Sequence, residues 1–196
     1  VPLQVNDDPW VSRGAHKLLA ALDESGLVVP ARVLDAGAST GGFTQVLLSR
    51  GARCVYAVDV GHGQLAAGLR ADPRVHSIEG LNLRDLTLSA VEDVPVPLIV
   101  GDVSFISLRL LLAPLTSVLA PQGRALLLVK PQFEVGPQGL DGRGVVRDAE
   151  LRAAAVHRVM EAARRLGLEP EWQAPSRLPG PAGNVEYFIC FRSSTS

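Results

Sequence analysis

Short apolar runs alternate with helix-periodic stretches along most of this chain, and that alternation leaves few folds open. Strand-like runs fall near 32–36, 53–59, 75–79, 96–101, 123–130, 168–174 and 184–192. Helix-like stretches fall near 12–25, 42–50, 63–70, 105–119 and 149–166. Strands separated by helices argue for a parallel sheet with helices packed on its faces. The first helix carries Leu18, Leu19 and Leu22 on one face and Gly26 as its stop, and Asp148 is placed to cap the last one. The ending differs. Pro175, Pro179, Gly180, Pro181 and Gly183 join the final two strands with no helix between them, and so short a connection requires an antiparallel pair. The expected fold class is α/β, with a mostly parallel seven-stranded sheet closed by a C-terminal antiparallel hairpin.

The 196 residues suffice for one domain with a proper core, here expected over 12–192, after a linker remnant at 1–11 and before a tail at 193–196. The longest apolar stretches are strand-sized, so no membrane span is expected. Asp7 and Asp8 lie where a secretion signal would need an apolar run. Cys54 and Cys190 sit in strand-like runs and read as buried thiols, which fits a reducing, cytoplasmic setting better than a disulfide framework. A net charge of −1 is low for a protein that grips nucleic acid unaided. Residue 1 is Val, not Met, so an upstream segment that supplies part of such a grip is expected.

Val33 to Phe43 reads as a strand, a glycine-rich turn and a helix start. Glycines allow a tight bend and a close ligand approach. Asp59 ends the next strand, 22 residues after Gly37, where an acid can accept hydrogen bonds from ribose hydroxyls. The dinucleotide pattern G-x-G-x-x-G is not met, because Ser39 stands at its second glycine. Asp35, just before the loop, would repel a pyrophosphate but could meet an ammonium group. The expected cofactor set is Asp35, Gly37, Ala38, Ser39, Gly41, Gly42, Phe43, Asp59, Val60, Asn82 and Asp102, with Asn82 also readable as a plain turn residue.

Two lysines and two acids stand at places where charge faces the crevice of an open parallel sheet. Lys17 lies before the first strand, Asp102 ends the fourth, Lys130 ends the fifth, and Glu186 lies in the last strand-like run. Each alone could be a solvated surface residue. Together they suit a transfer to a hydroxyl, in which a lysine acts as general base or as a cation beside the developing alkoxide. Lys130 is the expected contact with the target hydroxyl, oriented by Asp102 and Glu186, with Lys17 completing the network.

Five blocks carry a resemblance: Ser12-Arg13-Gly14-Ala15-His16-Lys17-Leu18, Asp35 to Thr44, Asp102-Val103-Ser104-Phe105-Ile106-Ser107, Lys130-Pro131-Gln132-Phe133-Glu134 and Gly183-Asn184-Val185-Glu186. Over residues 10–192 the chain resembles the TlyA (haemolysin A-type) ribosomal RNA 2′-O-methyltransferases of the FtsJ-like group. The resemblance implies a Rossmann-like S-adenosylmethionine-dependent methyltransferase and a catalytic tetrad at Lys17, Asp102, Lys130 and Glu186. It also implies methylation of a cytidine 2′-hydroxyl in ribosomal RNA, and an S4-type RNA-binding domain that this chain lacks.

For the RNA, Arg13, His16, Arg143 and Arg147 are the expected phosphate contacts. The latter two lie in a long loop, 133–148, that follows Lys130 and could close over a substrate. No metal ligand spacing is readable. Two other functions remain open at this point: a nicotinamide-dependent oxidoreductase on the same glycine turn, and a non-enzymatic binding or haemolysin-like protein.

Overall fold

The structure, a computed structural model, describes residues 8–194; residues 1–7 of the expected linker and 195–196 of the expected tail lie outside it. Five parallel strands form its frame: β1 (Arg32–Ala36), β2 (Cys54–Val58), β3 (Val75–Ile78), β4 (Val96–Gly101) and β5 (Leu119–Val129). The last pair follows, β6 (Leu168–Pro175) and β7 (Tyr187–Ser193). The order across the seven-stranded sheet is β3-β2-β1-β4-β5-β7-β6, with β7 antiparallel to both neighbours.

Alternate residues along the strands feed two separate cores. Leu34, Tyr56, Ile99, Leu127 and Ile189 face one; Val33, Val55, Leu98, Leu126 and Phe188 face the other. Strands that are apolar on both sides need cover on both sides. The second face is covered by α1 (Gly14–Ser25), α2 (Gly42–Ser49) and α3 (Ala67–Arg70), the first by α4 (Leu112–Val118) and α5 (Ala149–Arg164). Packing, not capping, fixes α1: no side chain caps its start, while Leu18 and Leu22 are fully buried. Each such leucine contributes about 1.5–3 kcal/mol. Asp148 does cap α5, accepting the Glu150 amide at 2.8 Å.

Several expected boundaries move, each for a local reason. The helix expected at 63–70 shrinks to α3, because Gly63 takes φ +66° and Ala66 is extended. The helix expected at 105–119 is broken by Phe105 at φ +66° and an extended Ser107, and becomes a 3-10 turn at Leu108–Leu110 followed by α4. Leu119 and its neighbours join β5 ahead of 123, with irregular pairing opposite Val96–Leu98 and Gln122 at φ +59°. β7 starts at Tyr187, so Glu186 precedes the strand instead of lying within it, and Ser193, expected in the tail, is its buried last residue. Cys54 is only half-buried, at the start of an edgeward strand, whereas Cys190 is buried as expected.

The order reverses between β1 and β4, since the chain walks outward to β3 and then returns to the other side of β1. A crevice opens at the carboxyl ends of strands at such a point. Because β7 runs the opposite way, its starting end lies at that same edge, with Tyr187 opposite Val129. Glu186, before a strand, is thereby brought to the same edge as Lys130, after one.

Candidate active site

The turn after β1 is shaped by a close approach. Gly37 has φ +82°, and a Cβ there would lie 2.5 Å from the Asp102 carbonyl oxygen. Ser39 takes a left-handed φ of 51°. Its amide donates to Asp59 Oδ2 at 2.7 Å while the Gly61 amide donates to Oδ1 at 2.8 Å, which fixes the carboxylate at the end of β2. Asn82 accepts the Arg84 amide at 3.0 Å, the turn role, and its NH2 group has no partner among the described residues. Val60, Asp59, Asn82, Leu83, Val103 and Ile106 line a cleft of about 500 Å³. Gly41 is turned away from it, against Leu65 and Leu69.

Beneath the turn, Asp35 is fully buried. The Thr44 hydroxyl donates to its Oδ2 at 2.7 Å, and Oδ1 has no partner among the described residues. Burial pushes this carboxyl up to about 7, partly opposed by the Thr44 hydrogen bond.

A second cavity of about 410 Å³ adjoins the first, sharing Gly37, Ser39, Asp102 and Ser104, and is lined also by Gly42, Phe43, Arg13, Lys17 and Lys130. The four charged residues form two ion pairs. Lys130 Nζ lies 2.5 Å from Asp102 Oδ1 and donates to Ser104 Oγ at 2.8 Å. Lys17 Nζ donates to Glu186 Oε1 at 2.8 Å, and Gln132 Nε2 to Glu186 Oε2 at 2.9 Å. Glu186 therefore holds Lys17 and not Lys130, a correction to the expected pairing; β7 delivers it to the α1 side. Both lysines and Glu186 are buried. A third cavity, of about 320 Å³, contains Lys130, Glu186, Gln132, Phe105, Phe133 and Arg143.

Ser104 and Phe105 line more than one of these spaces and were not singled out by residue type. The signal for Phe105 is structural only: its side chain is 90% exposed, its backbone is left-handed, and its ring centroid lies 5.3 Å from that of Phe133. Of the expected phosphate contacts, Arg13 and Arg143 reach the cavities. His16 is paired with Asp8 at 2.7 Å and Arg147 with Asp141 at 2.7 Å, and neither lines these three cavities. The loop 133–148 is folded against the body. Asn184 accepts the Val146 amide at 2.9 Å and donates to the Gly144 carbonyl at 3.0 Å, with Val145 and Val146 buried. Within it the Val145 amide, helped by Arg147 and the Arg143 amide, draws the Asp141 carboxyl down to about 2.

At the opposite end of the sheet, donor atoms of Cys54, His76 and Glu92 lie within 4.8 Å of one another. Glu92 already accepts the Tyr56 hydroxyl, and the Arg32 guanidinium donates to that same hydroxyl at 3.1 Å, a charge that repels a cation.

Known proteins resemble this chain closely. It is 51% identical over 187 residues to the 16S/23S rRNA (cytidine-2′-O)-methyltransferase TlyA of Mycobacterium tuberculosis, covering 95% of this chain and 69% of that one. A solved structure from Streptococcus thermophilus, given the hemolysin label, superposes with a TM-score of 0.92 at 39% identity, covering 96% of this chain and 68% of that one. The N-methyltransferase NodS of Bradyrhizobium japonicum, solved with S-adenosyl-L-homocysteine, shares the fold alone, at TM-score 0.65 and 18% identity over 98% of this chain and 91% of that one. Nothing among these favours the oxidoreductase, and no described helix is long and apolar enough to cross a membrane. The family description matching residues 10–193 takes in both ion pairs and every strand, and by it this chain belongs to the FtsJ-like methyltransferases.

Proposed function

We propose that this chain methylates the 2′-hydroxyl of a cytidine ribose in ribosomal RNA, with S-adenosylmethionine as donor. The cleft suits that donor. Apolar walls at Val60, Leu83 and Val103 accept a flat heterocycle, Asp59 meets ribose hydroxyls, and the unpartnered Asp35 oxygen beneath the glycine turn suits an ammonium group, directly or through water. The donor supplies an electrophilic methyl carbon on a sulfonium sulfur.

The observation that carries the reading is the setting of Lys130. Its ammonium is gripped by Asp102 and Ser104 where two of the cavities meet, with one N–H left over among the described residues. That N–H is available to the target oxygen and stabilises the negative charge on it as the O–CH3 bond forms, the S–CH3 bond breaks to leave S-adenosylhomocysteine, and the hydroxyl proton passes to solvent. A fixed donor of this kind costs no reorganisation during the reaction. Lys17 and Glu186, bound to each other, hold the α1 side of the site in place. Phe105 offers an exposed face on which an unstacked base can rest. Arg13 and Arg143 supply charge for flanking phosphates. The relatives are longer than this chain, and part of the RNA grip is assigned to an upstream S4-type domain.

The test is tritiated methyl transfer to isolated ribosomal subunits, followed by mapping of the modified nucleotide, with and without an upstream S4-type domain. The expected product is a 2′-O-methylcytidine. Label found on a base instead of a ribose overturns the reading.

A further inference from the structure

One buried charge takes no part in the site described so far. Glu134 is buried, with its side chain 1% exposed, and it lines none of the three cavities. A carboxylate is not buried without partners. Its partners all come from one distant loop. The Leu108 amide donates to Oε1 at 2.7 Å, and the Ser107 hydroxyl and Arg109 Nε donate to Oε2 at 2.7 and 3.2 Å.

These bonds join the two segments that carry the site. Asp102, Ser104 and Phe105 precede the Ser107–Arg109 loop; Lys130, Gln132 and Phe133 precede Glu134 in the 3-10 turn Pro131–Phe133. The other links between the segments, Lys130 to Asp102 and Ser104 and the Phe105–Phe133 ring contact, involve groups that a substrate must reach. Glu134 ties them from the rear. Its partner Ser107 sits two residues downstream of a strained position: Phe105 has φ +66°, a conformation that a bulky residue keeps only where its surroundings over-determine it.

We infer that Glu134 is a positioning residue for the substrate nucleotide, latching the loop after β4 to the turn after β5 so that the Phe105 ring stands ready to stack on the target base. This rests on the RNA reading above.

The test is a double-mutant cycle of Glu134→Ala and Phe105→Ala, with KM for ribosomal subunits, kcat, and S-adenosylmethionine Kd by calorimetry. Each single change is expected to raise KM for RNA roughly tenfold, the scale of one lost base–aromatic contact. The double variant should be no worse than Phe105→Ala alone, and the Kd for S-adenosylmethionine should stay within about twofold throughout. Glu134→Gln, which keeps length and one acceptor oxygen, should recover part of the loss and guards against a misfolded alanine variant. Effects that multiply in the double variant, or a parallel loss of S-adenosylmethionine binding, overturn the inference. Amide exchange at Leu108 provides an arm that needs no activity: it should quicken in Glu134→Ala. If the wild-type chain methylates no RNA, the functional reading fails on its own, and unchanged Leu108 protection then overturns the latch.

Discussion

Replacing Lys17 with methionine removes one ammonium and keeps the apolar stem that packs in α1. The partner left behind is Glu186, whose side chain is fully buried and whose second oxygen is held, among the described residues, only by Gln132. Breaking a buried pair from one side costs about 3–5 kcal/mol, because the remaining charge stays in a poor solvent. Gln132 still donates, so the expected loss is near the lower end, about 3 kcal/mol, a large part of the 5–15 kcal/mol typical of a domain. Removing both charges together, Lys17→Met with Glu186→Gln, should cost only about 1 kcal/mol, since a neutral buried pair avoids most of the desolvation penalty. The coupling is thus about 2 kcal/mol or more. Urea unfolding at pH 7, followed by circular dichroism at low and high salt, measures all of these. Salt should matter little for a pair this buried. The surface pair Arg50–Asp23, with side chains 37% and 65% exposed, is the control, and Arg50→Ala should cost less than about 1 kcal/mol. A Lys17→Met loss below about 1 kcal/mol, or additivity in the double variant, would refute the reasoning.

Asp35 makes stability depend on pH. Its folded value of about 7 lies above the usual 3.8, so the folded chain holds a proton that the unfolded chain has released. Stability should therefore fall as pH rises between those values, by at most about 1.4 kcal/mol per unit, and Asp35→Asn should flatten the slope in thermal melts. An ammonium-bearing ligand prefers the ionised carboxylate, so calorimetry should show S-adenosylmethionine affinity rising with pH over the same window in the wild type but not in Asp35→Asn. Gly37→Ala combines a left-handed backbone with a Cβ 2.5 Å from the Asp102 carbonyl oxygen. It should lower stability by about 2 kcal/mol or more and abolish cofactor binding, both readable in a ligand-dependent melting assay. Gly180→Ala would press a Cβ to 2.7 Å from Glu186 Oε2; it should lower kcat while leaving S-adenosylmethionine Kd unchanged.

Much of the architecture is legible in residue periodicity, because buried strands must be apolar and helices must have faces. Asp35, Asp59, Asp102 and Lys130 were recognisable because charge directly before a glycine turn or after an apolar run has few structural excuses. The pairing of the charges was not legible. That Glu186 meets Lys17 depends on β7 running backwards beside β5, which a one-dimensional pattern cannot resolve between neighbouring lysines. Phe105 escaped notice because a phenylalanine reads as core by type, and only its backbone turn places it outside. Gly41 shows the converse: it lies within the glycine-rich turn expected to meet the cofactor, yet serves the packing of Leu65 and Leu69. The long loop at 133–148 reads in sequence as one that could close over a substrate, but Asn184 and Asp141 supply hydrogen bonds that hold it against the body.

The account turns on the ammonium of Lys130 acting at the target oxygen. Single-turnover methyl transfer by Lys130→Ala, with both substrates saturating and S-adenosylmethionine affinity measured alongside, tests it most directly. The expected result is a rate lower by about a thousandfold or more, with affinity for the donor close to that of the wild type. Transfer at an undiminished rate would contradict it.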